Sequence, residues 1–397
     1  MKRGLALGAA ALALLLVATL LAQLFQQSRL EAQLVADFHA LPPPPAERST
    51  HVDPALPGTV GDALAAALAA PHPPLPQTWR RGEPPECSNA RALPWPQLPA
   101  ECRDVVETQA AWARAVVASS RAQRPALTPE LERVGPPGPG AASPQAQVVT
   151  AVQLVSFDVR RAALVGEADA ALAWCADAFG LGRDFSLRLG HEGVLFASSW
   201  AVLLTGPCGE AVDAAGPEAK RRFAGALDAI AAALPNDGPV LRRALTLRSA
   251  QLSGAAFSDE TLAALPPEVA AAIRFHNPHA RRIASPFERR TTIRELRAFR
   301  SALAAVDLPA AERGAALARA LERLDTLAVE LALDGLLERF DRLRLLLALL
   351  ANAARLDAGD TTLAAPGLAL TDEGGDRVLS PLTAKLARHA GRLHRDP

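Results

Sequence analysis

Seven arginines crowd one stretch of this chain: Arg281, Arg282, Arg289, Arg290, Arg294, Arg297 and Arg300. A guanidinium is planar, always charged, and presents a fork of donors that matches phosphate or carboxylate. Ser285-Pro286-Phe287-Glu288 reads as a capping box with proline at the first helical position, so a helix begins there. On that helix Arg290, Arg294 and Arg297 stand at i, i+4 and i+7 and share a face. Only Glu288 and Glu295 offset them locally. The chemistry expected of Arg290, Arg294 and Arg297 is anion binding, to lipid headgroups, an envelope polymer or an acidic protein face. The alternative is internal pairing with Glu322, Asp325, Glu330 or Asp334 on a neighbouring helix.

The remaining motifs fall short of catalysis. His191-Glu192 opens like a zinc-protease helix, but position 195 is Leu195, so the second imidazole is missing. His276 and His279 flank Asn277-Pro278. A turn could bring both to one metal, but two ligands do not make a zinc site, and a polar helix end accounts for them. Gly180-Leu181-Gly182 begins like a dinucleotide fingerprint, yet it lacks the third glycine and the preceding strand. It reads as a helix end and turn. No P-loop and no serine nucleophile elbow occurs, and Ser198, Ser199 and Ser253 have no local His–Asp arrangement. The pairs Asp372-Glu373 and Asp259-Glu260 read as turn or capping carboxylates. No catalytic residue, cofactor site or metal ligand is therefore assigned.

The four cysteines are Cys87, Cys102, Cys175 and Cys208, and none makes a C-x-x-C pair. An even count in an oxidising compartment suggests two disulfides, with three connectivities open. Proximity favours Cys87–Cys102 and Cys175–Cys208. Four buried free thiols are the alternative.

The compartment depends on the N-terminus. Lys2 and Arg3 precede an apolar run from Leu5 to Ala22 whose only polar member is Thr19, and Leu24 and Phe25 extend it past Gln23. A bilayer core needs roughly 20 apolar helical residues, so residues 4–25 are expected to contact lipid as a single transmembrane span. A cleaved signal peptide has a shorter apolar region and a small-x-small site. Here Leu20, Leu30 and Leu34 occupy the upstream position of each candidate site, so the anchor is expected to be retained. Positive charge stays cytoplasmic, which places the bulk of the chain in the periplasm, outside a bacterial inner membrane. Leu343 to Ala351 is too short to span and reads as a core helix. Beyond the bilayer the anchor helix continues from Gln26 to Ala40, with Leu30, Leu34 and Phe38 on one face. That stripe suits packing on the protein's own domain, the favoured reading, or contact with a second copy, a protein partner or the membrane surface.

The formal net charge is zero, so nothing points to nucleic acid. Alanine and leucine dominate, β-branched residues are sparse and tyrosine is absent, which favours helix. The expected fold is mainly α, in three parts. Residues 1–40 form the anchor helix and its extension. Residues 41–100, rich in proline, form a stalk or wrapping segment with a short helix over Gly61–Ala70. Residues 101–397 form a multi-helix bundle or irregular helical array, divisible at 135–144 where Gly135-Pro136-Pro137-Gly138-Pro139-Gly140 intervenes. Helices are expected over Glu101–Arg121, Gln145–Leu164, Glu167–Phe179, Gly193–Leu204, Pro217–Leu234 and Val240–Leu252. Later ones start at Pro286, after Asp307, and at Ser380-Pro381. At most one small hairpin is expected, between Leu368 and Leu379.

Two stretches carry a resemblance. Phe179-Gly180-Leu181-Gly182-Arg183-Asp184-Phe185-Ser186 runs toward a small-residue apolar helix, and Arg342 to Ala351 precedes an Asp/Gly loop. With gaps, from Gln145 to Leu379, the pattern is similar to single-span, membrane-anchored helical envelope proteins of GC-rich bacteria. That group implies an architecture and no activity. The anchor running into a long amphipathic helix also resembles large minor pseudopilins, whose leader-peptidase site and early glutamate are missing here. The expected role is structural, scaffolding or binding within the cell envelope. The alternatives are an envelope hydrolase with a site assembled from scattered residues, and a component of a secretion or pilus-like assembly.

Overall fold

The computed structural model describes residues 2–40, 56–79, 83–132, 143–189, 191–235, 238–242, 245–246, 262–263, 265, 286–308, 310–321, 327–360, 368–373 and 376–381. Helix α1 runs unbroken from Lys2 to His39. Strand β1 (Leu56–Thr59) leads into α2 (Val60–Ala69), whose N-cap Thr59 accepts from the Asp62 amide. The short α3 (Pro85–Asn89) precedes α4 (Ala100–Ala118), β2 (Ala122–Arg124) and α5 (Pro129–Glu132). Four longer helices follow: α6 (Pro144–Leu164), α7 (Ala168–Arg188), α8 (His191–Ala214) and α9 (Pro217–Ala232). Then come α10 (Pro286–Val306), α11 (Ala310–Leu321) and α12 (Leu327–Asp357). Strands β3 (Leu368–Glu373) and β4 (Asp376–Pro381) pair antiparallel, from Leu368 opposite Pro381 to Glu373 opposite Asp376.

The architecture is mainly α, and the chain divides into two units. The first takes residues 1–42, 133–135 and 236–335; the second takes 43–132, 136–235 and 336–397. The core of the second is built from α4, α6, α7 and α8, with α9 on α7. Phe157, Leu172, Leu181, Phe185 and Leu204 are buried at its centre. Leu343, Leu346, Leu347 and Leu350 of α12 join that core, so the leucine run near the C-terminus is an internal helix. The proline-rich segment contributes as well. Val60, Leu64, Trp79, Trp95 and Leu98 are buried within the same core.

Two disulfides fasten this unit. Cys87 of α3 joins Cys102 of α4, and Cys175 of α7 joins Cys208 of α8, the pairing that proximity in sequence favours. All four sulfurs belong to buried residues. The bonds fit an oxidising, extracytoplasmic location.

Three local expectations are corrected. Gly180-Leu181-Gly182 is not a helix end; it lies in the interior of α7. A Cβ on Gly182 would meet the Ala197 Cα at 3.3 Å, so the glycine serves close packing of α7 on α8 and not a turn. Helix α8 does not stop at Leu204 but continues through Pro207 to Ala214. Ser380 and Pro381 do not start a helix, because they complete β4, where Pro381 is the last residue and its missing N–H costs little. A parallel pairing of β1 with β2 also adds a second small sheet to the expected hairpin. The expectation for Val240–Leu252 falls largely outside the described residues.

Among the described residues no helix is long and apolar enough to cross a membrane. The side chains of α1 before Leu14 lie outside the described set.

Candidate functional site

Helix α10 is strongly two-faced. Leu296, Phe299, Ala302, Leu303 and Val306 are buried, while Arg290, Arg294, Arg297 and Arg300 are exposed. Because 3.6 residues make a turn, Arg290, Arg294, Arg297 and Ser301 fall on one stripe. Two other helices of the same unit flank that stripe. Helix α1 supplies Thr19, Ala22, Gln23 and Gln26, again one face at i, i+3, i+4 and i+7. Helix α11 supplies Ala316, Arg319 and Ala320. Together the three helices enclose an open cavity of about 1000 Å³.

The lining divides by chemistry. Arg290, Arg294, Arg297 and Arg319 provide four guanidiniums, and Ile293, Ala298, Ala305 and Leu308 provide apolar surface beneath them. No carboxylate lines the cavity among the described residues. The side chains of Glu322, Asp325, Glu330 and Asp334, the acids considered as internal partners, lie outside that set. Arg297 Nη2 donates to Gln26 Oε1 at 3.2 Å, and Arg300 donates to Gln33 Oε1. Both pairs advance in the same sense, so α1 and α10 run parallel. Gln23 is only 8% exposed, and its Oε1 has no hydrogen-bond partner among the described residues. The cavity therefore gathers four guanidiniums beside a buried amide oxygen.

The polarity of α1 around this cavity is inverted relative to a helix in water. Gln23 and Gln27 are buried, at 8% and 5% exposure. Leu14, Leu15, Val17, Leu20, Leu21, Leu24 and Phe25 are exposed, with Leu14 at 71% and Phe25 at 72%. At 100° per residue Leu14, Leu21 and Phe25 lie opposite Gln23 and Gln27, Leu15, Val17 and Leu24 flank them, and the partly covered Leu20 shares their side. Leu30 is half-buried, and the side chains of Leu34 and Phe38 lie outside the described residues.

Elsewhere, polar groups hold the second unit together. Asp158 is fully buried and takes Arg114 Nε at 2.6 Å and Arg161 Nε at 2.8 Å. Arg114 also stacks on Trp174, 3.7 Å from its ring centre. Arg121 grips Asp177 with both forks, at 2.8 and 2.6 Å. Burial still pushes the Asp177 carboxyl above its ordinary value, with Arg121 opposing. Glu83, paired with Arg91, is raised by burial in the same way. His72 stacks on Trp112 and bonds Gln109 and the Pro73 carbonyl, which makes it a packing residue. No group of three or more His, Cys, Asp or Glu side chains gathers among the described residues. His276, His279, Asp259 and Glu260 lie outside them, as do the side chains of His191, Asp372 and Glu373.

The structure thus brings Arg290, Arg294 and Arg297 to one cavity. Sequence reasoning missed Arg319, Gln23 and Gln26. The glutamines carried a readable signal, since polar residues spaced i, i+3 at the end of an apolar run mark a face that packs on protein. Arg319 carried none, because its place depends on how α11 folds back on α10. No family model, curated protein or solved structure matches this chain.

Proposed function

We propose that this is a membrane-anchored cell-envelope protein of structural, scaffolding or binding type, held by α1 in the inner membrane with its disulfide-bonded unit outside the cytoplasm. One observation carries the reading: α1 buries glutamines and exposes leucines. In water that arrangement leaves seven large apolar side chains 38–72% exposed, each forgoing a corresponding share of the roughly 1.5–3 kcal/mol that full burial gives. In lipid the preference reverses. Apolar side chains facing acyl chains cost nothing, and polar side chains turn inward to find partners. Lys2 and Arg3 before the run set the orientation with the N-terminus inside. The two disulfides agree with the compartment on the far side.

Extraction of membranes with alkaline carbonate tests the anchor. The full chain is expected to stay in the pellet, and a variant carrying Leu14→Arg and Leu15→Arg to move substantially to the supernatant. Each such change costs about 3 kcal/mol at the centre of a span. Release of the unaltered chain by carbonate would refute the proposal.

A further inference from the structure

The two disulfides join cysteines in the order in which the chain presents them. Cys87 pairs with Cys102 and Cys175 with Cys208, at separations of 15 and 33 residues. Each bond also closes within one contiguous stretch. The first links α3 to the start of α4, and the second links the neighbours α7 and α8. Once the unit has folded the sulfurs are out of reach, because the four residues are 0–2% exposed. A protein oxidant reacts only by direct attack between sulfurs. The bonds therefore form before α4, α7 and α8 close over them.

We infer that the unfolded chain is the substrate of a protein thiol oxidase, which makes Cys87–Cys102 first and Cys175–Cys208 second, with no isomerase step to follow. The inference rests on the extracytoplasmic side of the proposed function and not on the anchor itself. Timing selects the catalyst. Cys175 follows Cys102 by roughly 70 residues, which a chain emerging at about 5–20 residues per second delivers in about 4–14 s. During that interval Cys102 is the sole partner of Cys87. Disulfide formation takes seconds to hours, depending on the oxidant, and only a catalysed reaction finishes within the interval. Chain statistics add to the bias. The closure cost grows as (3/2)RT ln n, so the 15-residue loop closes about tenfold more readily than the roughly 70-residue loop between Cys102 and Cys175. Each bond forms in two exchanges. One cysteine thiolate attacks the oxidase disulfide to give a mixed disulfide, and the thiolate of the second cysteine then displaces the oxidase sulfur. Two chain thiols become one disulfide and the oxidase disulfide becomes a dithiol, so two electrons and two protons pass to the oxidase.

The test pulse-labels the full chain in bacterial cells, quenches with acid, and tags free thiols with a maleimide polymer in denaturant. Peptide mapping assigns the bonds, and nothing read depends on a variant folding. The hosts are the parent cells, cells lacking their periplasmic thiol oxidase, and cells lacking their disulfide isomerase. In the parent the expected first product carries Cys87–Cys102 with Cys175 and Cys208 free, and the second bond follows. Loss of the oxidase is expected to slow bond formation at least about tenfold. Loss of the isomerase is expected to leave rate and pairing unchanged. Bonds that form at the parental rate without the oxidase overturn the catalyst. Accumulation of Cys102–Cys175, or of any other crossed pair, without the isomerase overturns the ordered pairing. Four persistent free thiols in the parent cells refute the compartment and this inference together. Carbonate extraction scores the anchor independently, so the two readings fail separately.

Discussion

Three helical glycines in the second unit offer a graded test of its packing. Replacing glycine by alanine inside a helix gains about 0.8–1 kcal/mol of helix propensity wherever there is room for a methyl group. The room differs at each site. Gly225 of α9 is exposed, and a Cβ there meets nothing within 4 Å, so Gly225→Ala is expected to stabilise by about 1 kcal/mol. At Gly182 the methyl would lie 3.3 Å from the Ala197 Cα and 3.5 Å from the Trp200 ring, and α8 must yield by a few tenths of an ångström. Overpacking of about 1–3 kcal/mol outweighs the propensity gain, leaving a net loss of about 1 kcal/mol. At Gly193 the methyl would stand 2.0 Å from the Phe185 carbonyl oxygen and 2.5 Å from its carbon. Backbone must move there, and the Cys175–Cys208 bond farther along the same helix pair resists sliding. Gly193→Ala is expected to cost about 3 kcal/mol or more. Urea unfolding of the full chain in neutral detergent, followed by tryptophan fluorescence, gives the values. All five tryptophans, Trp79, Trp95, Trp112, Trp174 and Trp200, lie in this unit, so the signal reports it alone. A Gly193→Ala variant within about 0.5 kcal/mol of the unaltered chain would refute the packing argument, since that is the scatter of a neutral surface change.

Three further consequences, for the disulfides, Asp158 and Asp177, can be measured on the same signal. Replacing Cys175 and Cys208 by alanine opens a 33-residue loop and is expected to cost about 4 kcal/mol, against about 3 kcal/mol for the 15-residue Cys87–Cys102 loop. Equal stability of both double variants with the parent would contradict it. Asp158→Ala strands Arg114 and Arg161; because each keeps access to water, the loss is expected near 2–3 kcal/mol, below that of a fully buried pair. Two carboxylates give opposite pH slopes. Burial raises the folded pKa of Asp177, so its ionisation opposes folding: relative to Asp177→Asn, the parent loses stability as pH rises from the ordinary 3.8 through the raised value. Arg242 lowers the folded pKa of Asp307, so its contribution is present above the ordinary value and disappears as pH falls through the lowered one. A titration of Asp307 followed by carboxyl NMR shifts in the parent and in Arg242→Ala checks the second slope, and an unmoved midpoint would contradict it.

Much of this fold can be read along the chain, because its signals are local. Proline at the first helical position sets the starts of α6, α9 and α10 within a residue or two. The arginine spacing in α10 places three side chains on one stripe without reference to any other helix. What the sequence conceals depends on partners far away. Gly180 and Gly182 look like punctuation until Ser120 and Ala197 are seen opposite them. Strand β1 exists only because β2 lies beside it, and four residues with proline and glycine among them carry no strand pattern of their own. The extension of α8 through Pro207 is concealed for the same reason, since its support comes from the helices and the disulfide around it.

The Cys87–Cys102 bond has a mechanical consequence. In a tethered protein, force from the membrane would reach the second unit through its N-terminal segment, first at β1 and α2. Those elements can peel away one after another, because only noncovalent contacts hold them. At Cys87 the peeling stops, since the load passes through sulfur directly into α4. The bond thus acts as a safety catch that limits how much chain a pull can pay out before the core itself must bear the tension.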